Sequence, residues 1–187
     1  IFPQAVGKGD DEALEQPTWW SELCDFRNYK SAEETPVEVR KLLASALEKR
    51  HVKVYRTPEQ VRRAVNGDFT PARLACIPKA TPGKCRLIVD LLQNHVNAWV
   101  QQPERVVLPR LADAARDMAD LEVRGASEAC VIDFADAFHH VPVARAGRKY
   151  LVASFEGRFY VWQALPFGLK SSPLLWGYIA ALVGRLT

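Results

Sequence analysis

The sequence predicts an α+β domain. Two observations carry this prediction. Helical periodicity with start and stop signals fills residues 36–67, and after residue 70 the period shortens to β-rich runs joined by glycine-marked turns. The order that results, helices, a hairpin, then helix, strand, hairpin and helix, is that of an α+β fold. At 187 residues, 48% hydrophobic and 25% charged, the chain has the size of one domain, or one and a fragment, with an ordinary globular composition. The longest charge-free apolar stretch, Pro173 to Gly184, is too short to span a bilayer, so no membrane partner is expected. No signal peptide opens the chain, and Ile1 and a helix still running at Thr187 predict a piece of a longer protein.

In chain order, residues 1–35 carry 3 basic and 8 acidic side chains and show little periodicity, which predicts an arm or linker that Trp19-Trp20 would dock. Residues 36–70 form a helical segment. Thr35-Pro36-Val37-Glu38 reads as a capping box with Pro at the first helical position, followed by Val39, Leu42, Leu43, Ala46 and Leu47 at helical spacing. Thr57-Pro58-Glu59-Gln60 repeats the device, and Asn66-Gly67 supplies the stop. Residues 71–187 form the main body. Arg73 to Pro78 and Lys84 to Leu91 predict a hairpin turning at Pro82-Gly83, and Leu108 to Leu121 a helix. Ala129 to Ala135 predicts a buried strand, and Tyr150 to Phe155 with Phe159 to Ala164 a second hairpin around Glu156-Gly157. A last helix is capped by Ser172 and Pro173. The four cysteines are singletons without a C-x-x-C pair, which favours small buried thiols in a reducing compartment over a metal knuckle.

Charge is unevenly spread. The first 35 residues have a net charge of −5, residues 36–110 of +8, and the remainder of 0. A basic middle beside a neutral region with placed acids suits a polyanion held next to a catalytic site, although a solvated helix face has the same composition. Three segments carry candidate chemistry. In Cys130-Val131-Ile132-Asp133-Phe134-Ala135-Asp136-Ala137-Phe138, an apolar strand delivers carboxylates at Asp133 and Asp136, and oxygen ligands so held suit Mg²⁺. In Leu165-Pro166-Phe167-Gly168-Leu169-Lys170, a glycine permits close approach and Lys170 reaches toward phosphate. In the first hairpin, Lys79 and Arg86 project from opposite arms and could close on a triphosphate, the lysine as a point charge and the arginine as a fork. Each segment alone has a bland alternative: a backbone-satisfied Asp, an ordinary strand-to-helix turn, a solvated charged hairpin.

In this order and spacing the three segments resemble a reverse transcriptase, an RNA-directed DNA polymerase of the retrotransposon or retroviral type, over roughly residues 72–185. VIDFADAFHHVPV (131–143) is similar to the family's first palm motif, LPFGLKSSP (165–173) to its LPFGLKNAP, and Lys79 with Arg86 and Asp90 to the fingers pattern K…R-x-x-x-D. The resemblance implies right-hand fingers and a partial palm, with an antiparallel sheet packed on helices. It implies that Asp133 is the catalytic aspartate and, with the Phe134 carbonyl, a ligand of Mg²⁺ or Mn²⁺. Lys79, Arg86, Asp136, Ala137, Phe138 and Phe167 would contact the incoming dNTP, with Phe138 as the gate against a 2′-hydroxyl. Gly168 and Lys170 would lie by the RNA or DNA template and primer. The reaction implied is nucleotidyl transfer from a dNTP to a primer 3′ end with two metal ions.

Two departures stand out. No Y-x-D-D hairpin follows Pro173, so this polypeptide by itself is expected to be inactive. Where the family has D-x-R-x-x-N, Leu92 replaces the Arg, and the Asn is displaced to Asn94 or Asn97. Two other readings compete: a non-catalytic nucleic-acid-binding module derived from the palm, and a Mg²⁺-dependent phosphotransferase using Asp133 and Asp136. The three-residue spacing of those acids counts against the latter, because phosphatases of the D-x-D type place the second Asp two residues on.

Overall fold

A computed structural model describes residues 27–81, 84–102, 104–105, 110–123, 125 and 132–186. Helix α1 (Lys30–Glu33) is a single turn, and α2 (Pro36–Glu48) buries Val39 and Leu43. Strand β1 (Val52–Tyr55) precedes α3 (Pro58–Val65), which buries Val61 and Val65. The first hairpin is β2 (Pro71–Pro78) with β3 (Cys85–Asp90), followed by the short helix α4 (Val96–Trp99) and by α5 (Leu111–Val123). Two 3-10 turns, Ala137–His140 and Arg145–Tyr150, lead into a second hairpin, β4 (Val152–Phe155) with β5 (Arg158–Trp162). Helix α6 (Ser172–Leu186) follows. None of the helices among the described residues is long and apolar enough to cross a membrane.

The five strands form one sheet in the order β1-β5-β4-β2-β3. An antiparallel sheet was expected, and the strands do pair that way within two groups, β1-β5-β4 and β2-β3, but the groups meet through a parallel contact. Only Pro71↔Val152 and Ala72↔Ala153 pair across it. The sheet is therefore mixed. Beyond those two pairs the strands diverge, and the Asn28 side chain fills the gap. Its amide nitrogen donates to the Ser154 carbonyl at 2.9 Å, and its oxygen accepts from the Leu74 amide at 2.8 Å. One side-chain amide thus stands in for a peptide group and satisfies a donor and an acceptor that the split would orphan. The Tyr29 amide adds a bond to the Leu74 carbonyl. The last residues of the expected acidic arm are thus anchored to the sheet, while Trp19-Trp20 lie outside the described residues.

The two capping signatures behave differently. Thr57 accepts from the Gln60 amide, as a helix N-cap does. Thr35 makes no cap bond; its hydroxyl donates to the Ser31 carbonyl because α1 ends just before it. Asn66 closes α3 in the left-handed conformation, and Glu156-Gly157 turn the second hairpin with positive φ at both residues, as two-residue hairpin loops require. The main core gathers Leu43, Leu74, Val89, Leu91, Leu151 and Trp162 between sheet and helices. Strand β1 had no counterpart among the expected elements, although V-K-V-Y alternates. The expected strand at 129–135 is not formed in its described part: residues 132–134 are irregular and Ile132 is 54% exposed. Residues 129–131, the Pro82-Gly83 turn and Leu108 lie outside the described residues.

Candidate active site

Several of the side chains singled out by sequence meet beside the first hairpin. The β2–β3 register sets Ile77 opposite Arg86, and the Lys79 amide donates to the Lys84 carbonyl, so Lys79 and Arg86 rise from facing arms. Both line a cleft of about 120 Å³ together with Lys49, Asp136, His139 and Phe167. The floor is aromatic. The Arg86 guanidinium lies over the Phe167 ring at 5.4 Å, and the Phe138 ring sits 5.1 Å from Phe167. Lys79, Arg86, Asp136, Phe138 and Phe167 are thus brought together, and Ala137, which opens the first 3-10 turn, lies between two of them.

Asp136 has a positive φ of 54°, a conformation that Asp tolerates better than most residues. Its carboxylate is paired with Lys49, at the end of α2. That hydrogen bond and the lysine charge hold its pKa below the usual carboxylate range, against the opposing effect of partial burial. His139 stacks on His51 with centroids 4.6 Å apart, and meets Phe167 edge-on at 5.4 Å. Burial pushes the His139 pKa down to about 4, and the neighbouring His51 adds to the fall. Burial lowers His51 as well. Both rings are therefore neutral near pH 7. Sequence reading placed neither Lys49 nor His51 here; nothing local marks them, since both lie in the helical segment that matched no motif.

Other expected residues stand apart. Asp133 is exposed three residues ahead of Asp136 and does not line the cleft, and Phe134 packs edge-on against Trp176 at 5.2 Å. Lys170 is exposed, but its amide donates to the Asn97 side chain, whose nitrogen in turn donates to the Gly168 carbonyl. Asn97, rather than Asn94, therefore grips this turn; Asn94 bonds the Pro71 carbonyl instead. Gly168 has φ +111°, and a Cβ there would fall 1.9 Å from the Val89 carbonyl oxygen. Asp90 is structural. Burial opposes its ionisation, but the Tyr29 hydroxyl, the Leu92 and Gln93 amides and Arg73 outweigh it and hold the carboxyl low. Cys76 and Cys85 are free thiols, and a hydrogen bond that the Cys85 thiol donates to Cys76 pushes the Cys85 pKa up.

The donor set does not fit the two-ion site that the resemblance implies. Among the described residues no group of three or more His, Cys, Asp or Glu side chains is placed to hold a metal ion. Asp133 offers one carboxylate, and that of Asp136 is engaged by Lys49.

The family model for reverse transcriptase (RNA-dependent DNA polymerase) matches residues 77–185, more than half of the chain. The chain belongs to the reverse transcriptase family. The matched segment contains the Lys79–Arg86 hairpin, the Asp136 turn and the Phe167 turn that form most of the cleft. Solved structures of reverse transcriptases share the fold. The foamy viral protease-reverse transcriptase dRH in complex with double-stranded DNA aligns with a TM-score of 0.60 at 17% identity, over 85% of this chain and 25% of that one. The prototype foamy virus protease-reverse transcriptase, CSH mutant, aligns at 0.58 and 15% identity, over 87% and 19%. The architecture is that of reverse transcriptase fingers with part of the palm, and the chain spans about a quarter of the first of these structures. No curated protein matches the chain.

Proposed function

We propose that this chain is the dNTP-binding fingers and partial palm of an RNA-directed DNA polymerase that extends a primer 3′ end on an RNA or DNA template. One observation carries the reading: a lysine and an arginine from the two arms of one hairpin converge, over an aromatic floor, on a cleft shared with Asp136. Lys79 and Arg86 are the two phosphate-facing cations. Such charge-assisted bonds orient a triphosphate, and the arginine fork fixes its angle. Asp136 and Ala137 border the nucleotide, and the Phe138 ring, held against Phe167, is the gate at the sugar. Gly168 and Lys170 lie toward template and primer, where a nucleic acid would be held mostly by its phosphates.

Asp133 takes the place of the family's palm aspartate. Holding two divalent ions there needs further carboxylates, which the family takes from a Y-x-D-D hairpin that these 187 residues do not contain, so this chain by itself extends no primer in this proposal. The misfit of the metal donor set equally favours a non-catalytic nucleic-acid-binding module derived from the palm, which would bind duplex but show no preference for dNTPs.

The test is dTTP binding to the chain by isothermal titration calorimetry, with Lys79→Ala and Arg86→Ala beside the wild type. Each substitution removes a charged bond, so a loss of about tenfold or more in affinity is expected. Equal affinity in all three chains, or no binding by the wild type, overturns the dNTP reading.

A further inference from the structure

We propose that Lys49 and His51 are positioning residues of the nucleotide cleft, contributed by a segment that precedes the matched residues 77–185. The inference rests on the dNTP reading above. Three consecutive residues make the connection. Lys49 ends α2 with helical dihedrals, Arg50 turns the chain with φ 60°, and His51 enters β1. A positive φ is unfavourable at an arginine. Here it lets the residues on either side of it meet one turn of chain, Lys49 at Asp136 and His51 at His139. The segment is itself anchored, because the His51 amide donates to the Ala46 carbonyl and the His51 carbonyl accepts from the Gln163 amide.

From this staple an unbroken series of contacts reaches the phosphate-facing cations. His51 stacks on His139, His139 abuts Phe167, and Phe167 carries Arg86 over one ring face and Phe138 beside it. Lys49 also has an electrostatic task. Asp136 borders the same cleft as Lys79 and Arg86, and a bare carboxylate there would repel the polyanion those two residues attract. Pairing with Lys49 cancels that charge while leaving Lys79 and Arg86 unpaired with it. The role is positioning and neutralisation rather than contact with reacting atoms.

Calorimetric dTTP binding to the 187-residue chain tests this. Lys49→Met should weaken binding about tenfold, and Lys49→Arg should restore it. Adding Asp136→Asn to Lys49→Met should also restore most of the loss, which a purely structural lysine would not allow. His51→Ala should weaken binding about threefold and shift the imidazole resonances of His139. If Lys49→Met changes the circular dichroism spectrum, the same comparison is made with Lys49→Gln. If Lys79→Ala weakens binding while Lys49→Met and Lys49→Gln bind as the wild type does, the inference falls and the nucleotide site stands. If Asp136→Asn fails to rescue, the neutralising role is overturned. If Lys79→Ala binds dTTP like the wild type, the nucleotide reading itself fails, and this inference with it.

Discussion

At Gly168 a single hydrogen atom decides whether two segments can touch. Any side chain there meets the Val89 carbonyl and must also adopt φ +111°. Gly168→Ala should therefore destabilise the chain by about 3 kcal/mol, measured by urea unfolding, which is at the upper end of single substitutions because two penalties coincide. Sequence marked this glycine as a point of close approach, but the partner, a carbonyl 79 residues earlier, is fixed only by the fold. His139 gives a pH dependence. Its folded pKa of about 4 lies below the ordinary 6.5, so the unfolded chain binds the proton more readily. The contribution of this ring to stability is thus intact above pH 6.5, declines between 6.5 and 4, and is lowest below 4. His139→Phe keeps an aromatic ring against His51 and Phe167 while removing the titration. Its unfolding free energy should fall less across that window, and parallel profiles for the two chains would refute the assignment. The role of His139 was not legible in sequence, since neither its depth nor the distant His51 shows in a local pattern.

Among the elements, two near-identical signatures part company. Thr57→Ala should cost about 1 kcal/mol, because the Thr57 hydroxyl caps α3. Thr35→Ala should cost a few tenths, since the Thr35 hydroxyl satisfies no helix amide. Thermal melting of the two variants distinguishes them. The preceding turn of α1 reassigned Thr35, and a four-residue helix leaves too little periodicity to be seen in sequence. The hairpins were legible because Glu156-Gly157 and alternating apolar residues are local signals. The wedge at Asn28 was not, because its partners lie on two strands distant in sequence. Asn28→Ala should cost about 2 kcal/mol, having removed two hydrogen bonds at once and left the Leu74 amide and the Ser154 carbonyl without them. Chemical denaturation of that variant is the check.

For the whole molecule, the α+β class and the clustering of Lys79, Arg86, Asp136 and Phe167 followed from sequence, whereas the mixed sheet did not. Pairing partners across it are 81 residues apart, and Pro71-Ala72 carries no mark of a parallel neighbour. The expected helix at 108–121 illustrates the same limit. Over Leu111–Val123 it is formed, yet Leu111, Met118 and Val123 are 87%, 56% and 89% exposed, so its apolar spacing finds no core among the described residues. Amide hydrogen exchange should therefore run faster in α5 than in β2, β4 and β5, whose side chains fill the core. Equal protection would show that α5 is held by contacts outside the described residues. The sheet has a further consequence for the protein's lifetime. Asparagine slowly deamidates in water, and at position 28 the resulting carboxylate would set oxygen against oxygen at Ser154. Chemical ageing of one residue would then pry apart the seam between the two groups of hydrogen-bonded strands, long before any peptide bond is cut.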